Sequence, residues 1–163
     1  MKMSIMFLFF LISCVNNKAK DTIPKAKNQV LDFGKFTIET PNSWKKIEEV
    51  SFDSYGGAIA IDSTDTIGFG LGQNSSFINE TDIELMNYIK SKHNILTDTI
   101  DGYVAKILIP KEPGNSMIGV FIDSLWTHGQ ENDQFNMNGS HLKPVNEQLF
   151  IQAIKTIKFH KNK

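Results

Sequence analysis

"LTDTIDGYVAKILIP", from Leu96 to Pro110, carries the clearest strand-turn-strand pattern in the chain. Asp101-Gly102 at its centre favours a two-residue turn, and turns of this kind join antiparallel strands. After the turn, side chains alternate across a strand, so Tyr103, Ala105, Ile107 and Ile109 share one face. The stretch therefore predicts a β-hairpin with an apolar face directed at a core.

Similar patterns extend in both directions from this hairpin. In "FGKFTIET", Phe36 and Ile38 alternate, and the predicted strand stops at Pro41. The following "PNSW" is a turn signal, and we expect Trp44 to cap one end of the core. Further strands are predicted in the segments "GAIAID", "TIGFGLG", "MIGVFIDSLW" and "DQFNMNGS", the first two forming a hairpin around "DSTD".

Two segments have helical periodicity instead. In "TDIELMNYIKSK", Thr81 and Glu84 have the spacing of a capping box, with Thr81 at the N-cap. In the tail "PVNEQLFIQAIKTIKF", Pro144 suits a first helical turn. We expect this C-terminal amphipathic helix to pack on the sheet through one apolar stripe: Val145, Leu149, Ala153, Ile154 and Ile157, widened by Phe150.

The sum is six or seven strands, mostly antiparallel, and two helices. That composition predicts a single α+β domain over residues 31–160, in which helices cover a mostly antiparallel β-sheet.

The pattern Phe36-x-Ile38-x-x-Pro41-x-x-Trp44 and the closing segment "IKTIKF" resemble the PsbP-like superfamily, which includes bacterial DcrB-like lipoproteins. The resemblance covers roughly residues 33–159 and implies an α/β/α sandwich, an antiparallel sheet between helices. It also implies an accessory or binding role, since the superfamily has no shared catalytic residues.

The N-terminus carries an export signal. Lys2 precedes Ile5–Ile12, an apolar run of eight residues. A membrane span needs about 20, so the run fits the core of a secretory signal. "LISC" resembles a bacterial lipobox ending at Cys14, which implies cleavage before Cys14 and attachment of fatty acyl groups such as palmitate. The alternatives are an ordinary signal peptide with a buried cysteine and a cytosolic protein with an apolar terminus.

The predicted organisation is therefore a signal peptide at 1–13, a lipidated cysteine and flexible tether at 14–30, and the domain. The predicted location is the cell envelope, on the inner or outer membrane. Since Cys14 is the only cysteine, no disulfide forms within the chain.

Charge and composition restrict the partners. The chain has 17 basic and 18 acidic residues, and all the basic ones are lysine. Without a basic patch, nucleic acid is not an expected partner. Arginine is the usual bidentate clamp for phosphate, so its absence disfavours phosphoryl transfer, although codon usage in an AT-rich genome is the preferred explanation.

No catalytic residue is predicted. A nucleophile elbow needs G-x-S-x-G between a strand and a helix. "GNSMIG" supplies Gly114 and Ser116, but Ile118 stands where the second glycine belongs and a strand follows. We therefore interpret this segment as a loop.

The glycines of "GFGLG" (Gly68, Gly70, Gly72) leave one face of a strand bare. Such a face accommodates a closely packed segment or forms the floor of a ligand groove.

No metal or other cofactor is predicted, because the histidines are scattered in sequence. The one arrangement considered is His128 and His141 meeting across two strands, with Asp133 between them in sequence.

For ligand binding the sequence offers Trp44, Asp53 and Tyr55, since aromatic faces with a few polar groups form typical ligand walls. Asp53 in "DSYGG" also suits a simple turn. Thr22, in "DTI", matches a short pattern for O-glycosylation of the tether.

The leading hypothesis is a non-catalytic, lipid-anchored envelope module that contacts the membrane through Cys14 and binds a partner protein or small ligand. The rival is an envelope hydrolase or other enzyme whose site is built from dispersed residues such as Asp53 and His128. A third is a structural or immunity-type lipoprotein with a flat face. Converging ionisable groups in a deep pocket favour the enzyme, and a shallow, neutral cleft favours binding.

Overall fold

The computed structural model describes residues 27–47, 55–73, 75, 78, 80–128 and 131–160. In this part of the chain the elements follow in the order β1 (Asn28–Asp32), β2 (Phe36–Pro41), β3 (Lys45–Ile47), β4 (Tyr55–Ala60), β5 (Thr66–Gly72), α1 (Ile83–Lys92), β6 (His93–Ile100), β7 (Tyr103–Pro110), β8 (Met117–His128), β9 (Glu131–Ser140), α2 (Pro144–Ile154) and β10 (Lys158–Phe159). The predicted α+β class, the mostly antiparallel strands and the C-terminal helix are confirmed.

The strands form two sheets. The larger has the order β3-β4-β5-β9-β8-β7-β6 and the smaller the order β1-β2-β10. The β6–β7 hairpin turns at Asp101 and Gly102, whose φ values of 50° and 86° are those of a type I′ turn. The predicted turn residues therefore set the register at this edge of the larger sheet.

More strands form than the sequence predicts, because three of them carry little apolar patterning. β1 pairs with β2 along its whole length, from Asn28 opposite Pro41 to Asp32 opposite Thr37. Residues 28–30, which the sequence analysis assigned to the tether, therefore belong to a strand. β3 and β10 contain only three and two residues.

The predicted capping box of α1 is wrong. The N-cap is Asp82, and its Oδ1 accepts a 2.9 Å hydrogen bond from the backbone N–H of Leu85. Aspartate is as good an N-cap residue as threonine. Asp82 takes the N-cap position instead of Thr81, and Glu84 lies within the first turn.

α2 begins at Pro144 as predicted but ends at Ile154, earlier than the pattern suggested. The closing "IKTIKF" leaves the helix, and Lys158 and Phe159 pair with β2. Val145 is half exposed and does not join the predicted stripe. The buried face of the helix includes Asn146 and Glu147, because polar partners on neighbouring loops receive them.

Aromatic rings dominate the main core. Phe36 is fully buried, and its ring centroid lies 5.0 Å from those of Phe33 and Phe69 and 5.2 Å from that of Phe135. Residues of α2 belong to the same cluster, among them Phe150 and Ile154.

A second, smaller cluster lies on the opposite face of the larger sheet. Ile89 of α1 packs there with Leu108 and Phe121. Adjacent residues of β7 contribute to different clusters: Ile107 belongs to the main core and Leu108 to the smaller cluster. The larger sheet is therefore covered on both faces at this end, and α1 supplies the second cover. Within the described residues, neither helix has the length and apolar character needed to cross a membrane.

Candidate functional site

A pocket of about 390 Å³ opens beside the C-terminal end of α1. Its other wall is the loop 111–116, which joins β7 to β8. The lining residues are all polar or charged: Ser91, Lys92, Lys111, Glu112, Asn115 and Ser116.

Backbone hydrogen bonds fix the shape of this loop. The N–H of Lys111 donates to the carbonyl of Lys92 at 2.9 Å, which joins the loop to the end of α1. Gly114 has a φ of +81°, a conformation that other residues rarely adopt. Its N–H donates to Oε1 of Glu147 at 3.0 Å. The loop is therefore tied to both helices.

Glu147 is almost fully buried. Burial raises the pKa of its carboxyl, and the hydrogen bond from Gly114 only partly opposes that rise. Glu147 therefore holds one end of the pocket loop through a buried carboxylate, which accepts one described N–H hydrogen bond.

Ser116 and His93 meet at the edge of the pocket. Oγ of Ser116 lies 2.9 Å from Nε2 of His93. The backbone carbonyl of Ser116 accepts from the N–H of His141 at 3.0 Å, so the serine is held on both sides. Ser116 is half-buried and lines the pocket, whereas the His93 ring is buried behind it.

The tautomer of neutral His93 follows from its partners. Nδ1 lies 3.0 Å from the carbonyl oxygen of Ile89, which only accepts. Nδ1 therefore carries the proton, and Nε2 presents a lone pair. The Ser116 hydroxyl then donates to Nε2, so the order is serine, imidazole, backbone carbonyl.

Two lysines and one glutamate supply the charge of the pocket. The Lys111 ammonium donates to the carbonyls of Lys90 and Ser91 at 2.7 and 3.3 Å, at the negative end of the α1 dipole. Glu112 accepts from the side-chain amide of Asn115 at 2.8 Å. The lining groups therefore present more positive than negative charge.

The structure does not bring the predicted ligand residues together within its described part. Trp44 is 2% exposed and packs in the main core. Tyr55 is 36% exposed and begins β4, while Lys45, next to Trp44, pairs with Ala60 at the far end of that strand. Asp53 lies outside the described residues, as do Cys14 and Thr22.

The glycine-rich face of β5 is closely packed at one glycine and open at another. Ser75 and Asn136 approach Gly70 closely, and a Cβ there would lie 3.3 Å from Nδ2 of Asn136. At Gly68 a Cβ would meet no heavy atom within 4 Å. Close packing therefore explains Gly70, and the strand surface at Gly68 is open.

The backbones of His128 and His141 lie at opposite ends of the β8–β9 ladder. His128 pairs with Glu131 at one end of the β8–β9 ladder, while His141 follows Ser140, which pairs with Met117 at the other end. Among the described residues, no group of three or more His, Cys, Asp or Glu side chains is arranged to hold a metal ion.

Sequence reasoning missed the pairing of His93 with Ser116. The two residues are 23 positions apart, and "GNSMIG" is a loop as predicted. No local spacing signals the contact, because it depends on where the end of α1 lies relative to the β7–β8 loop.

No protein-family model and no curated protein matches this chain. Among solved structures, the fold is similar to the solution structure of cyanobacterial PsbP (CyanoP) from Synechocystis, with a TM-score of 0.50 and 11% identity over 85% of this chain and 96% of that one. A protein from Bacteroides thetaiotaomicron is also similar, with a TM-score of 0.45 and 13% identity over 83% of this chain. This chain spans about half of that protein, 49% of its length. The PsbP-like fold expected from the sequence is confirmed.

Proposed function

We propose that this protein is a lipid-anchored cell-envelope module that binds a small carboxylate-bearing ligand in the pocket between α1 and the β7–β8 loop. The pocket itself carries the proposal. Its volume of about 390 Å³ lies within the range of small-molecule sites, which is about 300–1,000 Å³.

The lining chemistry favours an anion. Lys92 and Lys111 supply ammonium groups and Asn115 supplies a side-chain amide, whereas the hydroxyls of Ser91 and Ser116 already donate to Tyr88 and His93. The single carboxylate, Glu112, is already engaged by Asn115. A ligand carboxylate would gain charge-assisted hydrogen bonds here.

The anchoring half of the proposal comes from the N-terminal sequence. The segment Leu11–Cys14 supports acylation at Cys14. A single acyl chain binds a membrane only marginally, whereas two or more hold a protein firmly. The domain would then face a compartment outside the cytoplasm.

Anchoring is tested on the full chain expressed in a bacterium. We expect the intact mass to show cleavage before Cys14 plus acyl groups, and the product to enter the detergent phase on partitioning. Cys14→Ser should abolish both, while the matched variant Ser13→Ala should retain them. A protein that keeps its initiator methionine, or that washes from membranes in carbonate, would contradict anchoring. The intact mass also tests the predicted O-glycosylation at Thr22. If the polypeptide and its acyl groups account for the whole mass, no glycan is attached.

Binding is tested with butyrate as the probe. We expect amide NMR shifts in loop 111–116 and at the end of α1, with a Kd of about 1 mM, since so small a ligand contributes little binding energy. Lys92→Gln/Lys111→Gln should weaken binding, and Lys45→Gln, exposed on β3, should not. Shifts confined to other surfaces would contradict the pocket assignment.

A further inference from the structure

We propose that Ser116 and His93 form a nucleophile and general-base pair that cleaves small acyl esters in this pocket. The reaction rests on the proposed function, because the ester would occupy the same pocket as the carboxylate ligand. It goes beyond binding, since it assigns a reaction and the two groups that perform it.

The geometry meets the requirements for an activated serine. The distance of 2.9 Å between Ser116 Oγ and His93 Nε2 lies in the reach expected for a nucleophile and its base, about 2.6–3.2 Å. The carbonyl of Ile89 orients the ring through Nδ1, the role that a third group plays in such sites. Ser116 is half-buried and lines the pocket, and the proposal places the ester carbonyl carbon beside its Oγ.

Helix capping alone does not account for this arrangement. The backbone N–H of His93 already donates to the carbonyl of Ile89, and Nδ1 donates to the same oxygen. The carbonyl of Ile89, at the C-terminal end of α1, therefore has its hydrogen bonds without any contribution from Nε2. Nε2 is the atom left to accept, and the group facing it is a hydroxyl at a pocket wall.

The reaction proceeds in two balanced halves. In the first, Ser116 Oγ bonds to the ester carbonyl carbon, the carbonyl electron pair moves onto oxygen, and the serine proton passes to His93 Nε2. The intermediate collapses, the bond to the leaving alkoxide breaks, and His93 returns the proton to it. In the second, water attacks the acyl-serine, its proton passes to Nε2 and then to Ser116 Oγ, and a carboxylic acid leaves. One ester and one water give one acid and one alcohol.

Donors for the developing oxyanion lie in the same pocket. The Lys111 ammonium donates to the carbonyls of Lys90 and Ser91 and has a third N–H. The side-chain amide of Asn115 donates one N–H to Glu112 and has a second. Fixed donors of this kind stabilise negative charge as it forms in the transition state.

The test uses the full-length protein with p-nitrophenyl butyrate as substrate and a fluorophosphonate probe, which phosphonylates serines activated by a base. We expect peptide mapping to place the label on Ser116. Ser116→Ala and His93→Gln should each lower ester turnover by about 100-fold or more. The matched control is Ser124→Ala, because Ser124 is exposed on β8 and does not line this pocket.

His93 is buried, so His93→Gln can fail by unfolding. Ser116→Cys addresses this, since a thiol beside Nε2 should react with iodoacetamide at least 10-fold faster than the thiol of Ser91→Cys, as mapped by peptide. The proposal is overturned if Ser116 stays unlabelled, if Ser116→Ala keeps half of the turnover, or if both thiols react equally.

Butyrate binding separates the two proposals. If butyrate binds both the parent protein and Ser116→Ala but no turnover depends on Ser116, binding stands and the reaction fails. If turnover depends on Ser116 while butyrate does not bind, the reaction stands and the carboxylate ligand is wrong.

Discussion

Oδ2 of Asp65 lies 2.7 Å from the backbone nitrogen of Lys143, the N-cap of α2, 78 residues farther along the chain. The Lys143 side chain makes no capping hydrogen bond, and the carboxylate of Asp65, in the β4–β5 turn, holds the N-cap residue through its backbone N–H. The same oxygen accepts from the side-chain amide of Asn146 at 2.8 Å. A negative charge at this position also suits the positive end of the helix dipole.

Replacing Asp65 with alanine should destabilise the protein. The buried amide of Asn146 and the N–H of Lys143 lose an acceptor, and a buried donor left unpaired costs about 1–3 kcal/mol. Urea unfolding at neutral pH measures the change in the free energy of unfolding. Ser63→Ala, exposed in the same turn, should change it by less than about 0.5 kcal/mol. Equal effects of the two substitutions would show that Asp65 does not anchor α2.

Acid should weaken this anchor. A hydrogen bond from the Lys143 side chain, with others from the Thr64 and Asp65 backbones, lowers the pKa of Asp62 below its ordinary value of 3.8. Burial alone would raise the pKa of Asp65, but hydrogen bonds from Asn146, Lys143 and Thr64 outweigh burial and lower it.

At pH values below the ordinary pKa of these two carboxyls, the unfolded chain therefore binds more protons than the native protein. The stability these groups contribute is present above about pH 4 and is lost as pH falls through their native pKa values. We expect the free energy of unfolding to drop as pH falls below about 4, and to drop less in Asp62→Asn/Asp65→Asn. An identical drop in both proteins would contradict this assignment.

Glu147 should act in the opposite direction. Burial raises its pKa above the ordinary value of 4.5, so the native protein binds more protons than the unfolded chain just above that pH. Stability should therefore fall as pH rises from 4.5 through the native pKa. Glu147→Gln keeps an oxygen for the N–H of Gly114 and removes the charge, so its stability should fall less over this range. Urea unfolding from about pH 4 to pH 8 measures this slope; a less stable variant at pH 7 would show that the charge itself stabilises the loop.

The hairpin turn should not tolerate a side chain at its second position. Gly102 has a φ of +86°, and an alanine held in that region costs about 1–2 kcal/mol. Gly68→Ala is the matched control, because Gly68 lies within β5, lacks a positive φ, and has open space where a Cβ would be. Thermal unfolding should show a lowered midpoint for Gly102→Ala alone. Equal midpoints would mean that the turn relaxes without cost.

The aromatic core should depend strongly on Phe36. The side chain is fully buried among other rings, and truncating such a residue costs about 3–5 kcal/mol. Val104→Ala is the control, since Val104 is 67% exposed and should change stability by less than about 0.5 kcal/mol. Urea unfolding compares them, and a loss below about 1 kcal/mol for Phe36→Ala would show that the cluster repacks.

The sequence was least informative where apolar patterning is weak or where a polar group is buried. β1 has a polar sequence and pairs through its backbone, so the sequence predicts its first three residues, 28–30, as tether. In α2, Asn146 and Glu147 lie on the buried face because Asp65 and Gly114 provide their partners. An amphipathic pattern alone placed Val145 on that face, and it lies outside the core.

The α+β class, the hairpins and the helix start at Pro144 are all predictable from the residues alone. These follow from turn chemistry and side-chain alternation, which act between neighbouring residues. Only the tertiary structure decided that Ser116 faces His93 beside a pocket lined with lysines. That contact joins residues 23 positions apart, and its existence depends on how α1 and the β7–β8 loop pack against the same end of the sheet.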